Sequence, residues 1–170
     1  MITIRSERPG DEAAVRRVNL EAFDTPMEAD LVDALRATAR AYVAFVAVDG
    51  EQVVGHVSFT PVTIEGSEAR GMNLAPLAVL PARQRQGIGS HLTRHALDEL
   101  RSQGWAFVVL VGHPGYYPRF GFEPASRYAV RCPWPDVPED VWMLAVLGAA
   151  GLPATAGVAR LEAAFDAVVP

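Results

Sequence analysis

Apolar residues recur along this chain with two periods, near two and near 3.6, and the switches between them mark out its elements. Ile2-Thr3-Ile4-Arg5 predicts a first strand ended by Pro9-Gly10, with Asp11 placed to cap a helix whose apolar positions are Ala14, Val15, Val18 and Ala22. A second helix is predicted from about Glu28 to Ala39, with Leu31, Leu35 and Thr38 on one stripe, Val32 and Ala39 beside it, and Thr25-Pro26 separating the two helices. Runs rich in β-branched residues over 42–48 and 53–62 flank Asp49-Gly50-Glu51-Gln52, the pattern of an antiparallel hairpin. In the second run Val53, Val57 and Phe59 alternate with Val54, His56, Ser58 and Thr60, which predicts one apolar face and one mostly polar, wetter face.

Glu65-Gly66-Ser67 turns the chain into a strand over 68–79 that contains Pro76, and a proline in a strand predicts a bulge or an unpaired stretch. After Pro81 come a glycine-bearing loop and a helix from about Gly87 to Ser102, with Ile88, Leu92, Ala96 and Leu100 facing inward and Gln103-Gly104 as its stop. The continuous apolar run over 105–111 then predicts a buried strand, parallel to the 68–79 strand through a right-handed crossover. Beyond Phe122, prolines at 124, 133, 135, 138 and 153 punctuate short segments, of which 142–147 and 158–161 read as strands. Neither repeats nor low-complexity tracts break the pattern.

With 170 residues, half of them apolar, the chain fits one well-buried core, so residues 1–170 are expected to form a single α/β domain. No apolar stretch approaches the roughly 18–20 residues that cross a bilayer, and the first five residues are no signal-peptide start, so no membrane association is expected. Cys132 is the sole cysteine, which rules out an internal disulfide and multi-cysteine zinc frameworks and fits a reducing, cytoplasmic compartment. A net charge of -5 argues against a nucleic-acid partner; it weakly favours a cationic substrate, although solubility alone accounts for it.

The stretch that carries chemistry is Leu77-Ala78-Val79-Leu80-Pro81-Ala82-Arg83-Gln84-Arg85-Gln86-Gly87-Ile88-Gly89-Ser90. Glycines let the backbone approach a diphosphate, and the free N–H groups at a helix start, with the positive end of its dipole, receive negative charge. It is neither a Walker loop nor a G-x-G-x-x-G dinucleotide fingerprint. Gln84-x-x-Gly87-x-Gly89, between a strand and an amphipathic helix, resembles the acyl-CoA-binding signature Q/R-x-x-G-x-G/A of GNAT N-acetyltransferases. Downstream, Tyr116-Tyr117-Pro118-Arg119-Phe120-Gly121-Phe122 is similar to that family's Y-x-x-x-G-F segment, with Tyr117 at the tyrosine position. The segment before it, Gly112-His113-Pro114-Gly115, is short where the family often has a helix beginning at asparagine, and resembles a bacterial branch of predicted acetyltransferases.

The resemblance is best over 42–122, leaving 123–170 as carboxyl-terminal strands and acceptor-side segments. It implies a mixed, mostly antiparallel sheet of about six or seven strands flanked by helices, with a splayed parallel strand pair holding acetyl-CoA. It implies that Arg85, Gln86, Gly87, Ile88, Gly89 and Ser90 receive the CoA phosphates. Leu77, Ala78 and Val79 would hold the pantetheine arm, one N–H polarising the thioester carbonyl. Tyr117 would protonate the departing thiolate. A phenol of intrinsic pKa about 10 does so against the gradient and only when held in place.

An acceptor amine must lose a proton before it attacks, and His113, between the parallel strand and Tyr117, is the candidate base, ahead of His56, Glu28 and Asp24. Arg83 and Arg85 are placed to reach phosphates. His91, His95 and Glu99 share a helix face but lack the H-E-x-x-H glutamate, so they read as a solvated face and no metal is expected. Cys132 has no histidine near it in sequence, which disfavours an acyl-cysteine route. The expected function is acetyl transfer from acetyl-CoA to a primary amine of a small molecule or protein in a ternary complex; the alternative is a non-catalytic acyl-CoA-binding or regulatory domain. A homodimer would form through the last strands.

Overall fold

The computed structural model describes residues 1–149, 151–152 and 157–168. In chain order they form β1 (Ile2–Ser6), α1 (Glu12–Ala22), α2 (Met27–Thr38), β2 (Val43–Asp49), β3 (Gln52–Ile64), β4 (Gly71–Val79), α3 (Ile88–Ser102), β5 (Phe107–Val111), β6 (Glu123–Pro124), β7 (Val130–Arg131), β8 (Trp142–Val146) and β9 (Gly157–Arg160). Three-residue to five-residue 3-10 turns lie between them. Contacts divide the chain into two units, residues 1–60 with 75–98 and residues 61–74 with 99–170, and β3, β4 and α3 contribute to both.

In the first unit the strands run β1-β2-β3-β4. β1 and β2 pair antiparallel from Ile2↔Asp49 to Ser6↔Phe45, and β2 and β3 form the predicted hairpin, with a bulge at Ala47/Val48. α3 buries the predicted stripe, with Leu92, Ala96 and Leu100 fully buried and Ile88 nearly so. Gly55 explains how closely that helix lies on β3: a Cβ there would fall 2.9 Å from Leu92 and 3.2 Å from Ile88. The helix at the N-terminus starts where expected, but Asp11 does not cap it with its side chain; the carboxylate instead takes the Arg5 guanidinium at 2.6 and 3.0 Å and the Arg8 N–H at 2.8 Å.

The expectation of a wetter face on β3 is overturned. His56, Ser58 and Thr60 are all buried, and His56 is met there by Asn19 of α1 and by Glu7, the residue after β1, which Arg36 of α2 holds. Asn19 on α1 donates from Nδ2 to the Val15 carbonyl at 3.0 Å and meets His56 Nδ1 at 3.2 Å. With both Nδ2 hydrogens thus engaged, Nδ1 is the acceptor, and the imidazole proton sits on Nε2, facing Tyr42 Oη at 3.2 Å and Glu7 Oε2 at 3.3 Å. Tyr42 donates to the same Glu7 oxygen at 3.0 Å, and Arg36 from α2 takes the other at 2.7 and 3.0 Å.

Burial holds the His56 imidazole below its ordinary pKa, the Glu7 hydrogen bond only partly offsetting it. Burial works against the Glu7 carboxylate, but its bonds to His56 and Arg36 outweigh that and keep it below the usual range. Both groups take up protons more readily unfolded. Their stabilisation is therefore complete above about pH 6.5, the unfolded histidine value, and is lost as pH falls, first through His56 and then below about 4.5 through Glu7. Urea unfolding midpoints are expected to drop from pH 7.5 to pH 5 in the wild type and to vary much less in His56→Gln; parallel profiles would contradict this assignment.

In the second unit the order is β3-β4-β5-β8-β6, with β9 pairing β3 and β7. β4 and β5 are parallel as expected, and their register runs from Gly71↔Phe107 to Asn73↔Val109, ending before Pro76; the Ala75–Pro76 peptide is cis. β5 and β8 are antiparallel from Phe107↔Val146 to Val111↔Trp142. A core of Val62, Ile64, Phe107, Val109, Trp142 and Leu144 fills this unit. The Phe107 ring lies against Gly71, where a Cβ would come within 2.3 Å of it.

Candidate functional site

The loop between β4 and α3 is held by its own side chains. Leu80 N–H bonds the Val54 carbonyl at 2.9 Å, which fixes the end of β4, and a 3-10 turn over Pro81–Arg83 follows. Gln84, the first residue of the six-residue motif, donates from Nε2 to the Val79 carbonyl at 3.0 Å, and Gln86 reaches back to the Ala82 carbonyl at 3.2 Å. Arg83 bonds Asp49 at 2.7 Å, so its charge is engaged at the hairpin turn and not offered to a ligand as expected. Arg85, in contrast, is exposed.

Two residues of this loop have left-handed backbone, Arg85 at φ 59° and Gly87 at φ 83°. A non-glycine residue held there is uncommon, and such alternation of handedness turns successive N–H groups toward one side, which makes an anion-binding concavity. The first helical bond is His91 N–H to the Gly87 carbonyl at 3.0 Å. The N–H groups of Ile88 and Gly89 therefore precede the first helical bond and have no acceptor within the helix. Gly87 is exposed, and a Cβ built on it meets nothing within 4 Å, so the space beside it is open to a bulky anion. Before the loop, Leu77 and Val79 are half-buried and alternate with buried Ala78. The first unit thus brings all nine predicted cofactor residues onto one strand end, one loop and one helix start.

In the second unit, β5 ends at Gly112, whose N–H bonds the Val141 carbonyl at 3.0 Å. The His113 carbonyl accepts from Tyr116 and Tyr117 at 3.0 and 3.4 Å and so starts the 3-10 turn over Tyr117–Phe120, which closes at Gly121 with φ 90°. The Tyr117 ring packs edge-on against Tyr116 and Phe122, at centroid distances of 5.0 and 5.7 Å, and against the bare backbone of Gly112, where a Cβ would lie 2.5 Å from its Cε2. Burial, with a smaller effect of Tyr116, raises the Tyr117 phenol above its ordinary pKa, so it carries its proton throughout the neutral range. Packing on Phe122 and the capacity to donate a proton coexist. His113, on the same turn, is exposed.

The other candidates scatter. Asp24 is exposed, and Glu28 has one buried carboxylate oxygen, Oε2, without a hydrogen-bond partner among the described residues. His56 is locked in the Glu7 network. His91 is exposed but His95 packs edge-on against Phe45 at 5.2 Å, so the expected solvated face is apolar on one side. Burial pushes the half-buried Cys132 thiol up, away from the thiolate a nucleophile needs. Cys132 lines a cavity of about 420 Å³ with Val130, Trp134, Val137 and Trp142, none of them in the motifs. Sequence reasoning missed Gly55 and Gly112; a lone glycine within or ending an apolar strand is the signal for such close approach.

A family model described as Acetyltransferase (GNAT) domain matches residues 3–125. The chain is 39% identical over 135 residues to N-acetyltransferase YhbS of Escherichia coli, covering 79% of this chain and 78% of that one. The crystal structure of Escherichia coli YhbS in complex with CoA superposes with a TM-score of 0.90 at 34% identity, over 97% of this chain and 92% of that one. A GNAT acetyltransferase from Brucella melitensis in complex with acetyl-CoA gives a TM-score of 0.79 at 37% identity, over 98% and 99% of the two chains.

Proposed function

The chain belongs to the GNAT acetyltransferase family, and from that premise we propose that it moves the acetyl group of acetyl-CoA onto a primary amine of a small molecule or protein by direct attack in a ternary complex. The observation that carries this reading is the start of α3, where left-handed Arg85 and Gly87 lead into the N–H groups of the first helical turn beside open space. These groups, with the exposed Arg85 guanidinium, receive the CoA phosphates. Leu77, Ala78 and Val79 hold the pantetheine arm through their backbone, and one of their N–H groups stabilises the oxyanion that forms when the amine adds to the thioester carbonyl.

Collapse of that intermediate breaks the C–S bond, and Tyr117 gives its proton to the sulfur. The raised phenol pKa supports this role by keeping the proton in place, and it puts the burden of the transfer on positioning. His113, exposed on the turn that seats Tyr117, takes the proton of the acceptor ammonium. Direct transfer needs no metal ion. The lone cysteine supports a reducing, cytoplasmic setting, and a homodimer through the last strands is part of this reading. Among the described residues, no helix is long and apolar enough to cross a membrane.

Incubation with acetyl-CoA and a panel of primary amines is expected to give time-dependent free thiol with at least one amine. Tight CoA binding with no thiol release from any amine would favour the non-catalytic reading instead.

A further inference from the structure

The buried polar face of β3 does more than fill the interior, because one of its members reaches β4. Ser58, fully buried, donates from Oγ to the Ala75 carbonyl at 2.9 Å. Ala75 precedes Pro76, which has no N–H to give to a ladder. Just beyond the end of β4, Leu80 N–H bonds the Val54 carbonyl. Between these two ties lie residues 76–79, including all three that the proposed function assigns to the pantetheine arm. The Ser58 hydroxyl therefore holds the near end of that segment from the buried face of β3, in addition to the pairing of the two strands.

The single hydroxyl hydrogen of Ser58 goes to the Ala75 carbonyl, while the nearby Tyr42 hydroxyl gives its own to Glu7 and meets His56, which are held in turn by Arg36 and Asn19. Burial, with the Glu7 charge next, raises the Tyr42 phenol, so it remains a neutral hydrogen-bonding group. Thr60, two residues along the same strand and equally buried, offers a contrast: its hydroxyl has no hydrogen-bond partner among the described residues. The face thus holds one hydroxyl wired to β4 and one that is not.

We propose that Ser58 is a positioning residue for the acyl donor: its buried hydroxyl sets the Ala75 carbonyl and thereby the backbone groups of Leu77, Ala78 and Val79. This rests on the reading that those groups bind the pantetheine arm. The interaction contributes to recognition of the arm and not of the nucleotide end, which the α3 loop receives.

The test compares Ser58→Ala and the near-isosteric Thr60→Val by calorimetric titration with acetyl-CoA and with 3′-phospho-ADP, the nucleotide end of CoA without its arm. Ser58→Ala is expected to weaken acetyl-CoA about tenfold while 3′-phospho-ADP stays within twofold, and Thr60→Val to leave both within twofold. Unchanged acetyl-CoA affinity in Ser58→Ala overturns the proposal, as does equal weakening of both ligands or the same weakening in Thr60→Val, since each marks a general loosening. A wild-type protein that binds neither ligand overturns the proposed function as well, whereas wild-type binding with an unaffected Ser58→Ala variant removes only the positioning role.

Discussion

Gly87→Glu is expected to lower the affinity for acetyl-CoA at least 100-fold while leaving the protein folded. Three effects act together. At φ 83° an L side chain is strained by about 1–2 kcal/mol, which disturbs the turn that aims the N–H groups. The new side chain enters the open space beside position 87, where no atom lies within 4 Å of a Cβ and where a diphosphate would approach. Its carboxylate then repels the phosphates at short range. Because that Cβ meets nothing, the substitution creates no clash in the protein, and a thermal midpoint lowered by only a few degrees, from the backbone strain, should accompany the lost binding. Gly87→Asn separates the contributions, since asparagine tolerates left-handed backbone and adds no charge; an intermediate loss is expected. Retained affinity in Gly87→Glu, measured by titration calorimetry, would place the cofactor elsewhere.

Tyr117→Phe is expected to reduce kcat about 100-fold or more, the usual scale of a general acid, with KM for acetyl-CoA changed only a few-fold. The variant keeps the ring that packs on Tyr116, Phe122 and Gly112, so the turn should stay intact. What it removes is the proton. The raised pKa gives a second check: wild-type turnover should show no decline attributable to Tyr117 up to about pH 10, the ordinary tyrosine value, because the phenol is still protonated there. An unchanged kcat in the phenylalanine variant would remove the acid assignment and leave cofactor binding untouched.

Elements whose partners lie close in sequence were legible before the structure. The α3 stripe, the hairpin around Gly50 and the apolar β5 run follow from spacing alone, and the loop motif could be placed because its strand and helix adjoin it. The polar face of β3 could not be read in the same way. Alternation shows that His56, Ser58 and Thr60 share a side but not whether water or protein lies against it. His56 finds its partners 37 positions away at Asn19 and 14 away at Tyr42. Asp11 misled for a related reason, since a capping residue and an ion-pair partner look alike until Arg5 is placed beside it. The two-residue strands β6 and β7 carry too few residues to show any period.

The missing side chain at Gly112 ties the fate of Tyr117, the acid of the proposed mechanism, to a residue that does no chemistry. Any enlargement of position 112, even by one methyl, would evict the phenol ring while sparing the tyrosine itself. Libraries built to redirect this enzyme toward new acceptors should therefore leave that codon fixed, or they will fill with inactive clones whose catalytic sequence looks perfect.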